Sequence, residues 1–242
     1  MSTTPSVSGL LIVIPARDEE ALIGECLAAV HAAVDVVRVS RPDIAVAVVV
    51  VADRCLDGTA EVAYAAGAHV VPTEAGCVGT ARRLGVDAGM ALLPAPPAHQ
   101  TWIASTDADT RVPIGWLDQQ VALATRGVRL VIGRAVPDRV DLDATTWTRW
   151  RRRHTSKEVG AHVHGANLGF RLDDYRAAGG WSRLHEHEDR HLVDSLLAAG
   201  VPAAAGLDVV TSGRLEGRVP GGFSGYLRTI AARRPPGVLD AG

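Results

Sequence analysis

Ile44-Ala45-Val46-Ala47-Val48-Val49-Val50-Val51 is apolar at every position. An apolar run without alternation reads as a strand covered on both faces, as in a parallel sheet. Upstream, Leu10–Ile14 is a second such run, ended by Pro15. Leu22, Ile23, Cys26, Leu27 and Val30 then recur at helical spacing. Downstream, Asp57-Gly58-Thr59 leads into a helix with Val62, Ala63 and Ala66. His69–Val71 is a short third strand, and Gly76–Leu93 is a helix ended by Pro94, Pro96 and Pro97. Trp102–Ser105 is a fourth strand, running straight into Asp107-Ala108-Asp109. This order predicts an α/β fold with a mostly parallel, doubly wound sheet and helices on both faces. Such sheets bind ligands beyond the carboxyl ends of their strands. Three of those ends carry polar residues: Arg17/Asp18/Glu19, Asp53/Arg54 and Asp107/Asp109.

The second half is less regular. Leu117–Ala124 reads as a helix, Leu130–Gly133 as a strand, and Gly165–Phe170 as a loop entering a strand. Leu192, Leu196 and Leu197 form a helical face ending near Gly200. The expected division is a first half over 1–112, a second half over 113–232, and a disordered tail over 233–242, which contains Pro235-Pro236-Gly237.

Composition narrows the function classes. With 242 residues, 47% of them hydrophobic, the chain is long enough for a proper core. Its 25 basic against 27 acidic residues argue against nucleic-acid binding through phosphate contacts, and 4% aromatics argue against a base-stacking platform. Three cysteines, Cys26, Cys55 and Cys77, are neither a disulfide framework nor paired zinc knuckles. The polar start has no basic leader, and no apolar run approaches the roughly 18 residues of a membrane span. A cytoplasmic location is expected.

Four stretches could carry chemistry. In Ser105-Thr106-Asp107-Ala108-Asp109-Thr110, two carboxylates one residue apart after a buried strand can reach one divalent cation. Mn²⁺ or Mg²⁺ takes hard oxygen ligands and borrows more from a diphosphate; the alternative is a solvated Asp-rich turn. Asp53, at a strand terminus, could accept hydrogen bonds from a nucleobase, while Asp57 suits a helix cap. Pro15-Ala16-Arg17-Asp18-Glu19-Glu20 also reads as a helix start with acids offsetting the dipole. In His185-Glu186-His187-Glu188-Asp189-Arg190-His191, Glu188-Asp189 could supply a general base, or serve as helix-start acids. The same stretch has histidine spacings that would suit a transition metal, but it lacks a second cluster other than His162 and His164.

In this order the pieces resemble the family-2 glycosyltransferases of GT-A fold. Ile12-Val13-Ile14-Pro15-Ala16-Arg17-Asp18-Glu19 is similar to the family's opening, and Val51–Thr59 to its V-D-D-x-S-x-D-x-T. Gly79-Thr80-Ala81-Arg82-Arg83-Leu84-Gly85 is similar to its Gly-x-Ala-Arg-Asn-x-Gly. Gly165–Arg171 with Gly179-Gly180-Trp181 resembles the acceptor-side loop, and Glu188-Asp189 with Leu192 the E-D-x-x-L that supplies the base. The resemblance spans about Leu10 to Gly200. It implies a non-processive, inverting transfer of a sugar from a nucleotide diphosphate sugar donor to a hydroxyl acceptor. Asp53 and the Pro15, Ala16, Arg17 and Glu19 loop would line the base pocket. Asp107 would face ribose or metal, Asp109 would bind the metal, and Arg82 would lie near the nucleotide or diphosphate. Asp189 would be the base, and Gly165, Ala166, Asn167, Trp181 and Glu188 would shape the acceptor side. A retaining transferase and a non-catalytic sugar-nucleotide-binding protein remain the rivals. A nucleotidyltransferase and a dinucleotide oxidoreductase lack their glycine-rich loops here.

Departures bear on detail. Ala52 replaces the first Asp of the usual pair, which leaves the base open. There is no Gln-x-x-Arg-Trp, so the processive polymer synthases match poorly. Arg214 and Arg218, in Thr211-Ser212-Gly213-Arg214-Leu215-Glu216-Gly217-Arg218, either bring charge to the diphosphate or are solvated. Trp147-Thr148-Arg149-Trp150-Arg151-Arg152-Arg153-His154 either makes peripheral contact with an anionic membrane or is a solvated helix face over packed Trp.

Overall fold

The computed structural model describes residues 6–156, 159–160, 163–217 and 222–232. Residue 218 and the tail from 233 lie outside the described residues, as does His162. The elements run β1 (Gly9–Ala16), α1 (Ile23–Ser40), β2 (Ala45–Asp53), α2 (Thr59–Ala65), β3 (His69–Thr73) and α3 (Val78–Leu92). Then come β4 (Thr101–Ser105), β5 (Thr110–Arg111), α4 (Trp116–Thr125), β6 (Leu130–Ile132), β7 (Ala135–Pro137) and α5 (Ala144–Arg153). The chain finishes with β8 (Leu168–Arg171), α6 (Leu172–Ala177), α7 (Glu188–Ala198), β9 (Ala203–Ala205), β10 (Val209–Thr211) and α8 (Phe223–Ala231).

Seven strands form the main sheet in the order β3-β2-β1-β4-β8-β6-β9, and β5-β10-β7 form a small second sheet. The run from β3 to β4 is parallel, so the order reverses between β1 and β4, the switch point of a doubly wound sheet. β8 is antiparallel to both β4 and β6. Its entry, the 3-10 turn Gly165–Asn167, is therefore brought to the sheet edge where β1, β2 and β4 end, with Leu168 opposite Ser105.

The apolar runs behave as a doubly covered sheet requires. On β1, Leu10, Ile12 and Ile14 pack with α1 and α4 side chains, including Leu27, Val30 and Trp116. Leu11 and Val13 face the other layer, with Val86, Phe170, Trp181 and Leu192. α3 reaches the sheet through two glycines. A Cβ on Gly85 would lie 2.5 Å from Val13, and one on Gly89 would lie 2.2 Å from Leu11, so only glycine permits this approach.

Pro15 does not end its strand. β1 continues to Ala16, paired along β2 up to Ala52, whereas its pairing with β4 stops at Val13–Ser105. Pro15 shares the parity of Val13, whose carbonyl accepts from Thr106 N–H on the β4 side. Its missing N–H thus faces a position where no ladder bond is lost.

The chain forms two compact units. The first, 1–136 and 157–211, holds the main sheet; the second, 137–156 and 212–242, holds α5 and α8. The division at 112 falls inside the first unit, because β6, β8 and β9 complete the same sheet as β1–β4. In the second unit, Asp143 caps α5 by accepting from Thr145 and Thr146 N–H. Trp150 is buried and stacks on Trp147 and His154, and Arg149 donates to the last carbonyls of α8. Arg151–Arg153 are exposed. Among the described residues, no helix is long and apolar enough to cross a membrane.

Candidate active site

The polar residues at the ends of β1, β2 and β4 meet at one edge of the sheet. The loops after β1 and β2 are stitched together. Glu19 N–H donates to Thr59 Oγ1 at 2.7 Å, Glu20 N–H to Asp57 at 3.1 Å, Leu56 N–H to Asp18 at 2.7 Å and Gly58 N–H to Glu20 at 3.0 Å. Asp57 also accepts from Thr59 N–H, so it serves the α2 terminus from the position before Gly58. Slight burial opposes charge on Asp57, but the bonds from Thr59 and Glu20 win and hold its carboxyl below the usual range. Ligand atoms of Asp18, Cys55 and Asp57 lie within 4.8 Å of one another, and their carboxylates already serve these loop N–H groups.

Asp53 is buried, and each of its oxygens takes a backbone N–H from the turn before α3: Gly76 at 2.8 Å and Cys77 at 3.1 Å. Its evident duty is to fix that turn. Pro15, Ala16 and Glu19 are buried beside it in sequence order along β1 and its loop, while Arg17 is exposed.

Arg82 is the hub. It is 2% exposed, and its guanidinium donates to Asp107 at 2.7 Å, Glu188 at 3.2 Å, Ser105 Oγ at 2.6 Å and the Gly165 carbonyl at 3.1 Å. It also lies over the Trp181 ring, 5.1 Å from the centroid. Burial works against its charge, but Asp107, Glu188 and Asp189 outweigh it and raise its pKa above the ordinary value. Burial also pushes the Glu188 carboxyl up, against the pull of Arg82; Asp189 and Asp107 push it further. The packing is tight: a Cβ on Gly165 would lie 2.3 Å from Arg82 Nη2, and one on Gly79 would lie 2.0 Å from the Ser182 carbonyl.

Asp189, in the first turn of α7, accepts from Gly165 N–H at 2.8 Å, which ties it to the same network. Asn167 is fully buried with its amide engaged: Oδ1 accepts from Trp116 Nε1 at 2.9 Å, and Nδ2 donates to the carbonyls of Arg134 and Leu207. It holds the Gly165–Asn167 turn from behind, and Ala166 is buried with it. Trp181 is likewise fully buried, beneath Arg82. Arg214 belongs to the second unit, where its N–H donates to Ser212 Oγ at 3.3 Å.

Two contributors carried no sequence signal of their own. Thr211 on β10 donates to Asp109 at 3.2 Å from 102 positions away. Ser105 bridges Arg82 and the Gly165 carbonyl, the latter at 2.9 Å. Only its place at the end of β4 pointed to it.

Asp107 and Asp109 suit a hard divalent cation. Both offer carboxylate oxygens, and the Asp107 side chain is about a third exposed. The buried Cys26 thiol reports the local potential. Burial raises its pKa well above the ordinary value, and Asp109, Asp107 and Glu19 raise it further, so three carboxylates share this neighbourhood. Its Sγ donates to the Asp107 carbonyl at 3.3 Å.

In fold, the chain is similar to glucosyl-3-phosphoglycerate synthase from Mycobacterium tuberculosis, solved with Mn²⁺, uridine diphosphate and glucosyl-3-phosphoglycerate. The TM-score is 0.58 at 17% identity, over 93% of this chain and 77% of that one. It is also similar to mannosyl-3-phosphoglycerate synthase from Rubrobacter xylanophilus, with a TM-score of 0.53 at 14% identity, over 92% of this chain and 70% of that one. At such identities the likeness speaks for the fold alone. No curated protein matches by sequence. The sequence pattern described as Glycosyl transferase family 2 matches residues 11–179, from β1 through α6 and well over half of the chain. With that match lying on a GT-A sheet whose strand ends gather Asp107, Arg82 and Glu188, the chain belongs to glycosyl transferase family 2 and is a glycosyltransferase.

Proposed function

We propose that this glycosyltransferase moves a sugar from a nucleotide diphosphate sugar to a hydroxyl acceptor in one in-line displacement with inversion, and does not act processively. The observation that carries the reading is the Arg82 network. One buried guanidinium bonds both Asp107, the donor-side carboxylate, and Glu188, and it reaches the carbonyl of Gly165, whose N–H holds Asp189.

The loops after β1 and β2, with Pro15, Ala16, Arg17, Glu19 and the turn fixed by Asp53, line the nucleoside end. Asp107 and Asp109 hold a divalent cation, Mn²⁺ or Mg²⁺, which when bound offsets the charge of the departing diphosphate. Arg82 keeps Asp107 oriented. Asp189 takes the proton of the acceptor hydroxyl at a carboxylate oxygen, with Gly165 N–H fixing its rotamer. Gly165, Ala166, Asn167, Trp181 and Glu188 frame the acceptor side.

UDP-glucose is the first donor to test, because a neighbour of this fold was solved with it. The assay follows transfer to a panel of hydroxyl acceptors with and without Mn²⁺, and reads the anomeric configuration of the product by NMR. Inversion is expected. Retention of configuration would overturn the inverting assignment, and metal-independent turnover would overturn the cation.

A further inference from the structure

The turn from Asp107 to Thr110 is fixed at its backbone. Thr110 N–H donates to the Asp107 carbonyl at 3.1 Å, the Cys26 thiol donates to the same carbonyl at 3.3 Å, and Ala108 is buried within the turn. What remains to be set is how the two carboxylates are turned. Arg82 sets Asp107. Asp109 is set by a different device.

Thr110 opens β5 and pairs with Thr211 on β10 in antiparallel register. Both lie with Asp109 in the first unit. Thr110 is fully buried and Thr211 is 5% exposed. Thr110 Oγ1 donates to Thr211 Oγ1 at 2.9 Å, and Thr211 Oγ1 donates to Asp109 Oδ1 at 3.2 Å. A hydroxyl has one hydrogen, and an ionised carboxylate only accepts. Thr211 therefore gives its hydrogen to Asp109 and takes the Thr110 hydrogen on its own oxygen. Both bonds run one way, toward the carboxylate. Strand packing does not ask for hydroxyls here, since valine has the same shape and suits a strand as well. Buried hydroxyls are unfavourable unless they are bonded, so the reason for this pair lies in the bonds it makes.

The two carboxylates are thus held in different ways. Arg82 holds Asp107 with a full positive charge at 2.7 Å, which offsets part of the charge that a cation would use. The Thr110–Thr211 pair orients Asp109 with neutral hydroxyls and leaves its charge whole. Outer hydrogen bonds of this kind fix metal-binding carboxylates, and their loss costs roughly 10–100-fold in metal affinity.

We propose that Thr211 is the positioning residue of the cation site: backed by Thr110, its hydroxyl holds Asp109 turned for a divalent cation without neutralising it. The proposal rests on the reading of Asp107 and Asp109 as cation ligands. It makes the β5–β10 pair a part of the metal site.

Titration of the full chain with Mn²⁺ alone, followed by the EPR signal of the free ion, tests this without any turnover. Asp109→Ala should weaken Mn²⁺ most. Thr211→Val should weaken it at least about tenfold, and Thr211→Ser, which keeps the hydroxyl, should bind like the parent. Thr110→Val combined with Thr211→Val removes both hydroxyls together. That double variant should melt close to the parent, because neither hydroxyl is left facing an apolar partner, yet bind Mn²⁺ as weakly as Thr211→Val. Unchanged affinity in Thr211→Val and in the double variant, with Asp109→Ala defective, would overturn the role of Thr211 and leave the cation reading standing. So would a Thr211→Ser chain as weak as Thr211→Val. Full affinity in Asp109→Ala, or no Mn²⁺ binding by the parent, would overturn the cation reading and this proposal with it.

Discussion

Replacing Arg82 with methionine isolates the hub of the site. The change removes a cation that is 3% exposed from a partner, Glu188, that is 6% exposed, and leaves a buried carboxylate without its counter-charge. Breaking one side of a buried pair costs ~3–5 kcal/mol. The Asp107 side of the network, about a third exposed, adds little because solvent screens it. In a chain of this size each kcal/mol moves the melting midpoint by ~2–4 °C, so the expected drop is roughly 6–20 °C. The pH dependence gives a second handle. Burial already lifts the folded Glu188 carboxyl above its ordinary value, and without Arg82 it rises further. The unfolded chain then loses this proton first as pH rises. Stability held by neutral Glu188 is therefore present below the unfolded pKa and is lost as pH climbs through the folded one. The drop should thus be larger near about pH 8 than near about pH 5.5, and Arg82→Met combined with Glu188→Gln should recover much of it. Thermal and urea unfolding at both pH values read this directly. A drop under ~3 °C that does not change with pH would refute the buried-hub reasoning.

Other predictions follow from the same geometry. Asp189→Asn keeps an acceptor for Gly165 N–H but cannot take a proton, so kcat should fall ~10²–10⁴-fold with melting unchanged; normal turnover would remove Asp189 as the base. Cys26 and Cys77 are buried and Cys55 is partly exposed, so a thiol reagent should label one site in the native protein. Burial raises the Cys55 pKa, so its labelling rate should still be increasing as pH passes its ordinary titration range; rapid labelling of three thiols would contradict the packing.

What the sequence revealed, and what it hid, has physical reasons. The β1, β2 and β4 runs were legible because strands covered on both faces must be apolar throughout, and the motifs at their ends marked the site edge. The antiparallel placement of β8 was not legible, because Leu168–Arg171 is too short for its periodicity to reveal direction. β5, β7, β9 and β10 are two or three residues each and owe their existence to partners distant in sequence. Asp53 was visible as a strand-end carboxylate, but its occupation by Gly76 and Cys77 N–H depends on how the α3 turn folds back. Pro15 looked like a strand stop because sequence does not show that β4 has already ended beside it. The grouping of Arg82 with Glu188 joins residues 106 positions apart, which only the assembled sheet brings together.

The most direct test of the donor site is the melting midpoint with uridine diphosphate and UDP-glucose, with and without Mn²⁺, in the parent and in Asp109→Ala. A nucleotide at a hundredfold excess over its Kd stabilises by ~2.7 kcal/mol, which is roughly 5–11 °C here. The account predicts a shift that requires Mn²⁺ and disappears in Asp109→Ala. A nucleotide shift of equal size without metal, or one undiminished in Asp109→Ala, would contradict it.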